Sequence, residues 1–311
     1  METQKIPLYK VRQFGEKISD TFAFVSENLK PLLKYITYFM LPVALLMGLA
    51  MNGYLNSVLH LAAIGDEVSP ETLVELASSF GGVIVALLVG YPLLSAVVYG
   101  LMRVYGEREN RLRGLTWAEF KPVFMPALKR SFKLLGFALL LGLLVSAVAG
   151  ALVFVLGTAL RVLFLAVIYI ALLVVLVPIS LMTPIYLFED DIMLMGALKK
   201  AMRLGFRTWG GIFAVMFVLG LIVGIVSGII SLPWSIALGA QAAFGMEEDA
   251  ESFVGTTGFG FIVFLLSVLQ SFVSFLCYAV PTIGLAYQYG HAAEKIDHVT
   301  VEADIDKFEN L

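Results

Sequence analysis

The chain has 311 residues, of which 59% are hydrophobic and 14% charged, with a mean hydropathy of +0.90. Ordinary soluble domains hold roughly 45–50% apolar and about 25% charged residues, so this composition excludes a soluble globular fold, and Gly and Pro scattered through apolar text exclude disorder or fibrous repeats. The net charge of -3 comes from interleaved acids and bases, which implies no nucleic-acid partner.

The first 31 residues are charged throughout, which predicts no cleavable signal. Within them Phe14, Ile18, Phe22, Val25 and Leu29 recur at steps of three and four, predicting an amphipathic helix with Glu16, Lys17, Asp20 and Glu27 off its apolar stripe. The stretch 35–65 then lacks charge, and a helix needs about 20 apolar residues to cross roughly 30 Å of hydrocarbon. It predicts a first span over about 35–56, with Asn52 its buried polar group. After an acidic loop containing Asp66, Glu67, Glu71 and Glu75, a second span covers about 80–102 and contains Pro92, seven residues before Tyr99.

The segment 103–133 is basic. It includes Thr116-Trp-Ala-Glu119, the spacing of a capping box, followed by an apolar stripe of Phe120, Phe124, Leu128 and Phe132. The third span, about 134–158, has a small residue every fourth position at Gly142, Ser146 and Gly150. Arg161 stands alone before the fourth span, about 163–187, which holds Pro178 and Pro184. A third amphipathic helix follows, acidic at its start and striped by Ile192, Met195, Leu198, Met202 and Phe206. The fifth span, about 210–233, repeats the small-residue stripe at Gly220, Gly224 and Gly228. Such stripes let helices approach closely in lipid, where packing replaces the hydrophobic effect. An acidic, Gly-containing loop over 236–257 leads to the sixth span, about 259–287, with Pro281 before Tyr287.

The expected fold is therefore an all-α integral membrane protein. Six transmembrane helices form three hairpins, each preceded by a cytoplasmic interfacial amphipathic helix. The N-terminal segment is 1–31, the membrane domain 32–290 and the C-terminal tail 291–311. With the N-terminus inside, 20 of the 21 Lys and Arg fall on the cytoplasmic side. Matching phrases, ALKRSF at 127–132 and ALKKAM at 197–202, and a proline bend in each even span predict three copies of one unit.

Charged residues inside spans mark ion paths and proton relays, and the charge-free stretches here hold none. The polar groups that remain are Asn52 and, on one face of the sixth span, Ser267, Gln270, Ser271 and Ser274. These either bond between helices or line a cavity for a solute. Three histidines without metal-ligand spacing, and a single Cys277 with no cationic neighbour, predict neither a metal nor any other cofactor and no catalysis. The basic groups Lys129, Arg130, Lys133, Lys199, Lys200 and Arg203 either set topology or gather anionic lipid headgroups.

Three phrases, FVSENLKPLLKY (24–35), ALKKAMRLGFRTWGGIF (197–213) and LAYQYGHAAEK (285–295), resemble bacterial six-span proteins similar to the membrane domain of glycerophosphoryl diester phosphodiesterases and to YciC-like inner-membrane proteins. The resemblance implies an inner-membrane protein tied to lipid or envelope physiology, without phosphodiesterase chemistry, which belongs to a separate soluble domain. The opening VRQFGEKISDTFAFV (11–25) also resembles Bacteroidetes membrane proteins labelled carotenoid monooxygenases, but no histidine lies within the spans to hold iron. The leading expectation is a non-catalytic bacterial inner-membrane protein with both termini cytoplasmic. It would organise the lipid bilayer, anionic lipids or a membrane-protein partner. The alternative is a transporter or exporter of an uncharged or amphiphilic solute.

Overall fold

Hydrocarbon offers a backbone no hydrogen bonds, so a spanning segment must satisfy its own. The described residues do this with helices alone. A computed structural model describes residues 5–64, 69–156, 158–244 and 257–301. They form α1 (Phe14–Glu27), α2 (Leu29–Ile64), α3 (Pro70–Glu107), α4 (Trp117–Val155), α5 (Thr158–Ser180), α6 (Met182–Phe188), α7 (Leu194–Arg207), α8 (Trp209–Phe244) and α9 (Thr257–Asp297). Six helical stretches among the described residues are long and apolar enough to cross a membrane: 29–58, 70–107, 117–155, 160–188, 209–241 and 258–297. The helices overrun the predicted spans, through charged residues at the start of α2 and through uncharged ones at the end of α8, which runs to Phe244. Asp66, Glu67 and the acidic group Glu247, Glu248, Asp249 and Glu251 lie outside the described residues.

Local chemistry explains the boundaries. The Thr116 hydroxyl accepts from Glu119 N–H while the Glu119 carboxylate accepts from Thr116 N–H at 2.9 Å, closing the capping box that starts α4. From there α4 runs without interruption into the third span, past Pro122 and Pro126. The basic segment before that span is thus the first part of one long helix, not a separate interfacial helix. By contrast α1 and α2 are parted at Asn28, and α7 and α8 at Thr208. Each side chain donates to the carbonyl four residues back, Asn28 Nδ2 to Phe24 O at 3.0 Å and Thr208 Oγ1 to Leu204 O at 2.9 Å. Pro178 precedes the break between α5 and α6, and Pro184 occupies the first turn of α6. Pro92 and Pro281 sit inside helices that continue past them.

The contact map divides the chain into two units. One comprises Met1–Pro31, Ser95–Gly220 and Val280–Leu311, and its helices close into a ring at their charged ends. There α1 meets α9, where the Phe24 and Tyr287 rings stand edge to face at 6.4 Å, and α3, where Tyr105 donates to Glu27 at 3.1 Å. The start of α4 lies under Gly100 of α3 through Phe120, and Arg130 reaches α6. In turn α7 joins α5 and α9, with Arg203 bonded to Asp297 at 2.9 Å. Phe188 stacks on Tyr289 at 6.1 Å between centroids and meets Tyr99 at a tilt of 53° at 5.4 Å.

The amphipathic helices turn the opposite way from a soluble protein's. In α1 the predicted stripe residues Phe14, Phe22 and Leu29 are exposed, and Lys17, Thr21, Phe24 and Asn28 are buried. In α7 Met195 and Phe206 are exposed, and Ala197, Ala201, Leu204 and Gly205 are buried. In α7 the inward face is made of small residues, which lets its backbone come close to α5. Gly205 gives the clearest case, since a Cβ built there would lie 2.5 Å from Pro178 Cα.

The second unit comprises Leu32–Leu94 and Leu221–Ala279. Its helices pack where Gly48 faces Val268, a Cβ there falling 2.9 Å from Val268 Cα, and where Gly90 faces Phe275. Of the most apolar window in each span, 44% is buried in the second, 6% in the fourth and none in the third, so α4 and α5 turn their span faces outward.

Replacing Gly205 by Val should overpack the α5–α7 contact and cost about 1–3 kcal/mol, read as a lower thermal midpoint of the detergent-solubilised protein; an unchanged midpoint would refute the close approach.

Candidate functional site

In the second unit, the face of α9 carrying Ser267, Gln270, Ser271 and Ser274 opens into a cavity of about 280 Å³, closed by Met47 of α2 and Trp234 of α8. The four sequence-selected residues of the sixth span therefore do come together. The serines are internally bonded: Ser267 Oγ donates to Gly48 O at 3.1 Å and Phe264 O at 2.7 Å, Ser271 to Ser267 O at 2.8 Å, and Ser274 to Gln270 O at 2.9 Å. Two polar atoms in the wall are different. Gln270 Oε1, an acceptor, and Trp234 Nε1, a donor, are buried without a partner. The fifth predicted polar residue, Asn52, is not part of the wall; its carbonyl accepts from Asn56 Nδ2 at 3.2 Å, and Asn56 in turn accepts from Gln241 at 3.0 Å. Trp234 was missed by sequence reasoning because an indole near the end of a span reads as an interfacial anchor.

The wall carries no ionisable group that is charged at neutral pH. Its unpartnered donor and acceptor match a molecule bearing a hydroxyl or amide, which offers both complements. Liquid water occupies about 30 Å³ per molecule, so the space accepts roughly nine waters or a ligand of the same bulk. It falls just under the roughly 300–1,000 Å³ of drug-sized sites.

The basic residues expected to gather headgroups divide into two sets. Arg130 is inside the ring, its guanidinium 4.2 Å from the Tyr186 ring centroid and donating to the carbonyls of Tyr186, Glu189 and Asp190 at 2.7, 2.6 and 2.5 Å. It thereby caps the end of α6. Lys200 contacts Glu189 at 2.7 Å and Asp297 at 3.5 Å, and Arg203 pairs with Asp297. Asp190 accepts from Arg103, and that bond holds its carboxyl below the usual carboxylate range. Lys129, Lys133 and Lys199 are exposed. Charge pairing across distant segments leaves no local sequence pattern, which is why the engaged and free cations were indistinguishable beforehand.

The small-residue stripes do not make the contacts expected of them. Among the described residues nothing lies within 4 Å of a Cβ built on Gly142, Gly150, Gly220, Gly224 or Gly228, and Ser146 is exposed. Their spacing matches that of a packing face, but the chain places its close approaches at Gly48, Gly90 and Gly205 instead. Between α4 and α5, Leu144, Val148, Leu152, Phe164, Ile168 and Val175 line an apolar cleft of about 500 Å³. No group of three or more His, Cys, Asp or Glu able to hold a metal ion occurs among the described residues.

Helix content and span length define an all-α, multi-pass membrane-type protein with a small, uncharged polar cavity. Comparison with protein families, curated proteins and solved structures finds no match to the chain. The likeness to YciC-like proteins rests on the quoted phrases alone.

Two outcomes follow from the geometry. Arg130→Ala strips several charge-assisted bonds from the end of α6, each about 1.5–3 kcal/mol, so the detergent-solubilised protein should lose at least about 3 kcal/mol of stability; a loss below about 1 kcal/mol would mean water replaces the cap. In ligand-free protein, Gln270→Leu removes a buried unpaired oxygen whose desolvation costs about 1–3 kcal/mol, so the thermal midpoint should rise; a fall would mean the oxygen has a partner.

Proposed function

We propose that the chain is a non-catalytic multi-pass membrane protein that takes an uncharged or amphiphilic molecule into the cavity beside α9, as a binding protein, transporter or exporter. One observation carries this reading: Gln270 Oε1 and Trp234 Nε1 are buried without partners in two residues that line an open space. A wall made only to pack would replace such atoms by apolar ones, because each orphan costs about 1–3 kcal/mol. A molecule offering a hydroxyl would repay both. The lack of charge in the wall argues for a neutral ligand, since an ion would enter without a counter-charge.

In this reading the protein resides in a bacterial inner membrane with both termini cytoplasmic, an orientation supported by the asymmetry of Lys and Arg. The threefold unit is also part of it. Lys17, Thr21 and Phe24 are buried in α1, Ala127, Ser131 and Leu134 in α4, and Ala197, Ala201 and Leu204 in α7, at constant offsets of 110 and 180 residues. Asn28 and Thr208 extend the match to the helix breaks.

A second reading, the organisation of lipids or a membrane partner, draws support from the outward apolar faces of α1 and α7 and from exposed Lys129, Lys133 and Lys199. Arg130, Lys200 and Arg203, being engaged internally, add little to it. The two are separable with a photoactivatable long-chain alcohol in reconstituted vesicles. The cavity reading expects saturable labelling within α9, reduced at least fivefold when Gln270 and Ser274 are both replaced by Leu. Labelling that is non-saturable, or unchanged in that variant, would overturn it.

A further inference from the structure

A different part of the molecule holds two buried polar groups that no contact within the described chain explains. In the first unit, Gln288 of α9 is fully buried, and neither Nε2 nor Oε1 has a partner. Lys17 of α1 is 4% exposed, and among the described residues its ammonium, which keeps a little accessible surface, has no hydrogen-bond or ion-pair partner. The two groups surround the same point. A Cβ built on Gly211, in the first turn of α8, would lie 3.3 Å from Gln288 Nε2, 3.5 Å from its Oε1 and 3.6 Å from Lys17 Nζ.

The neighbourhood carries a surplus of positive charge. Arg12 is committed, donating to Asp20 at 2.7 Å and to the carbonyls of Leu8 and Lys10 at 2.9 and 3.3 Å, with its guanidinium 4.7 Å from the Tyr287 ring centroid. Asp20, the carboxylate at hand, is thereby taken. His291 accepts the Arg12 backbone N–H on Nδ1 at 2.9 Å, which in the neutral ring keeps its proton on Nε2. Lys295, exposed one turn further along α9, adds a further cation. Burial, Lys295 and Arg12 together lower the Lys17 ammonium from its ordinary range to about 8. An unpaired ammonium held against an unpaired buried amide is a costly arrangement, and one species relieves it: an oxyanion that also carries a hydroxyl, its oxygens accepting from Lys17 Nζ and Gln288 Nε2 and its hydroxyl donating to Gln288 Oε1.

We infer that the space between α1, the first turn of α8 and the end of α9 binds a phosphate-type oxyanion, with Lys17 Nζ and Gln288 Nε2 as its donors. Gly211 puts no side chain between the two donors, and the charge surplus of Arg12, Lys17 and Lys295 over Asp20 matches the charge of the anion. The inference is independent of the cavity reading, since it uses neither the residues nor the ligand class proposed there. The oxyanion's source is either free phosphate or the headgroup of an anionic phospholipid, which share the same recognition chemistry.

The test uses the full chain in nanodiscs. Radiolabelled orthophosphate is titrated into protein held in phosphatidylcholine, and lipids retained from a phosphatidylglycerol-containing membrane are quantified by mass spectrometry after exchange into detergent. Saturable orthophosphate binding identifies a free anion. Stoichiometric retention of phosphatidylglycerol identifies a headgroup. In either case Lys17→Met should weaken binding at least tenfold and Lys17→Arg should largely restore it. Gly211→Ala, which places a methyl in the space without touching any charge, should weaken it as well and serves if Lys17→Met does not fold. No retained anion of either kind, or binding unaltered by Gly211→Ala and Lys17→Met, would overturn the proposal and leave ordered water as the partner of the two groups.

Discussion

The exclusion of uncompensated charge from hydrocarbon governs this molecule. Six long stretches free of ionic groups become helices because only a helix satisfies its backbone without water. The ionic groups are displaced to the helix ends, where they take on structural work. Arg130 closes the end of α6, Asp297 is shared by Lys200 and Arg203, and Glu27 receives Tyr105 and Arg111. These contacts tie together segments more than 50 residues apart, as in the bond from Arg130 to Tyr186. The ring they form compensates for the weak association of apolar helices in an apolar solvent, where burying a leucine gains little.

The same constraint explains which faces turn inward. A helix at the edge of a soluble domain buries its large apolar residues, and the moment of its sequence points to the core. Here α1 and α7 do otherwise, burying Thr21, Ala197 and Ala201 while leaving Phe14, Phe22 and Met195 outside. Small side chains allow the α7 backbone to reach Pro178 through Gly205, a contact built on dispersion and proximity. Polar residues join the inward face for the same reason, since Thr21 can satisfy its hydroxyl on the Lys17 carbonyl of its own helix at 2.7 Å.

Span number and the capping box at Thr116 and Glu119 were legible from local text, because both depend on residues near one another in the chain. The polar face of α9 was legible for the same reason: its four residues share one helix. What local text could not supply was the partner. The stripe through Gly142, Ser146 and Gly150 has the right spacing for packing and meets nothing, while the same spacing in Gly82, Ala86 and Gly90 and in Ala197, Ala201 and Gly205 ends in close approaches to Phe275 and Pro178. Trp234 enters the cavity wall from a helix remote in sequence from Gln270, and Lys17 and Gln288 lie 271 positions apart. Spacing reports which residues share a face; the fold alone decides what that face meets.

The two unsatisfied places differ in a way that sorts their ligands. The cavity beside α9 sets one unpartnered acceptor and one donor in an uncharged wall, where the penalty for admitting an ion without a counter-charge would far exceed the gain from two hydrogen bonds. The space by Gly211 sets an unpaired ammonium against a buried amide, with Arg12 and Lys295 nearby, and there a neutral molecule would leave the charge uncompensated. A hydroxyl suits the first and fails the second, and an oxyanion does the reverse. Whatever occupies them, the chemistry of the walls requires two different functional groups.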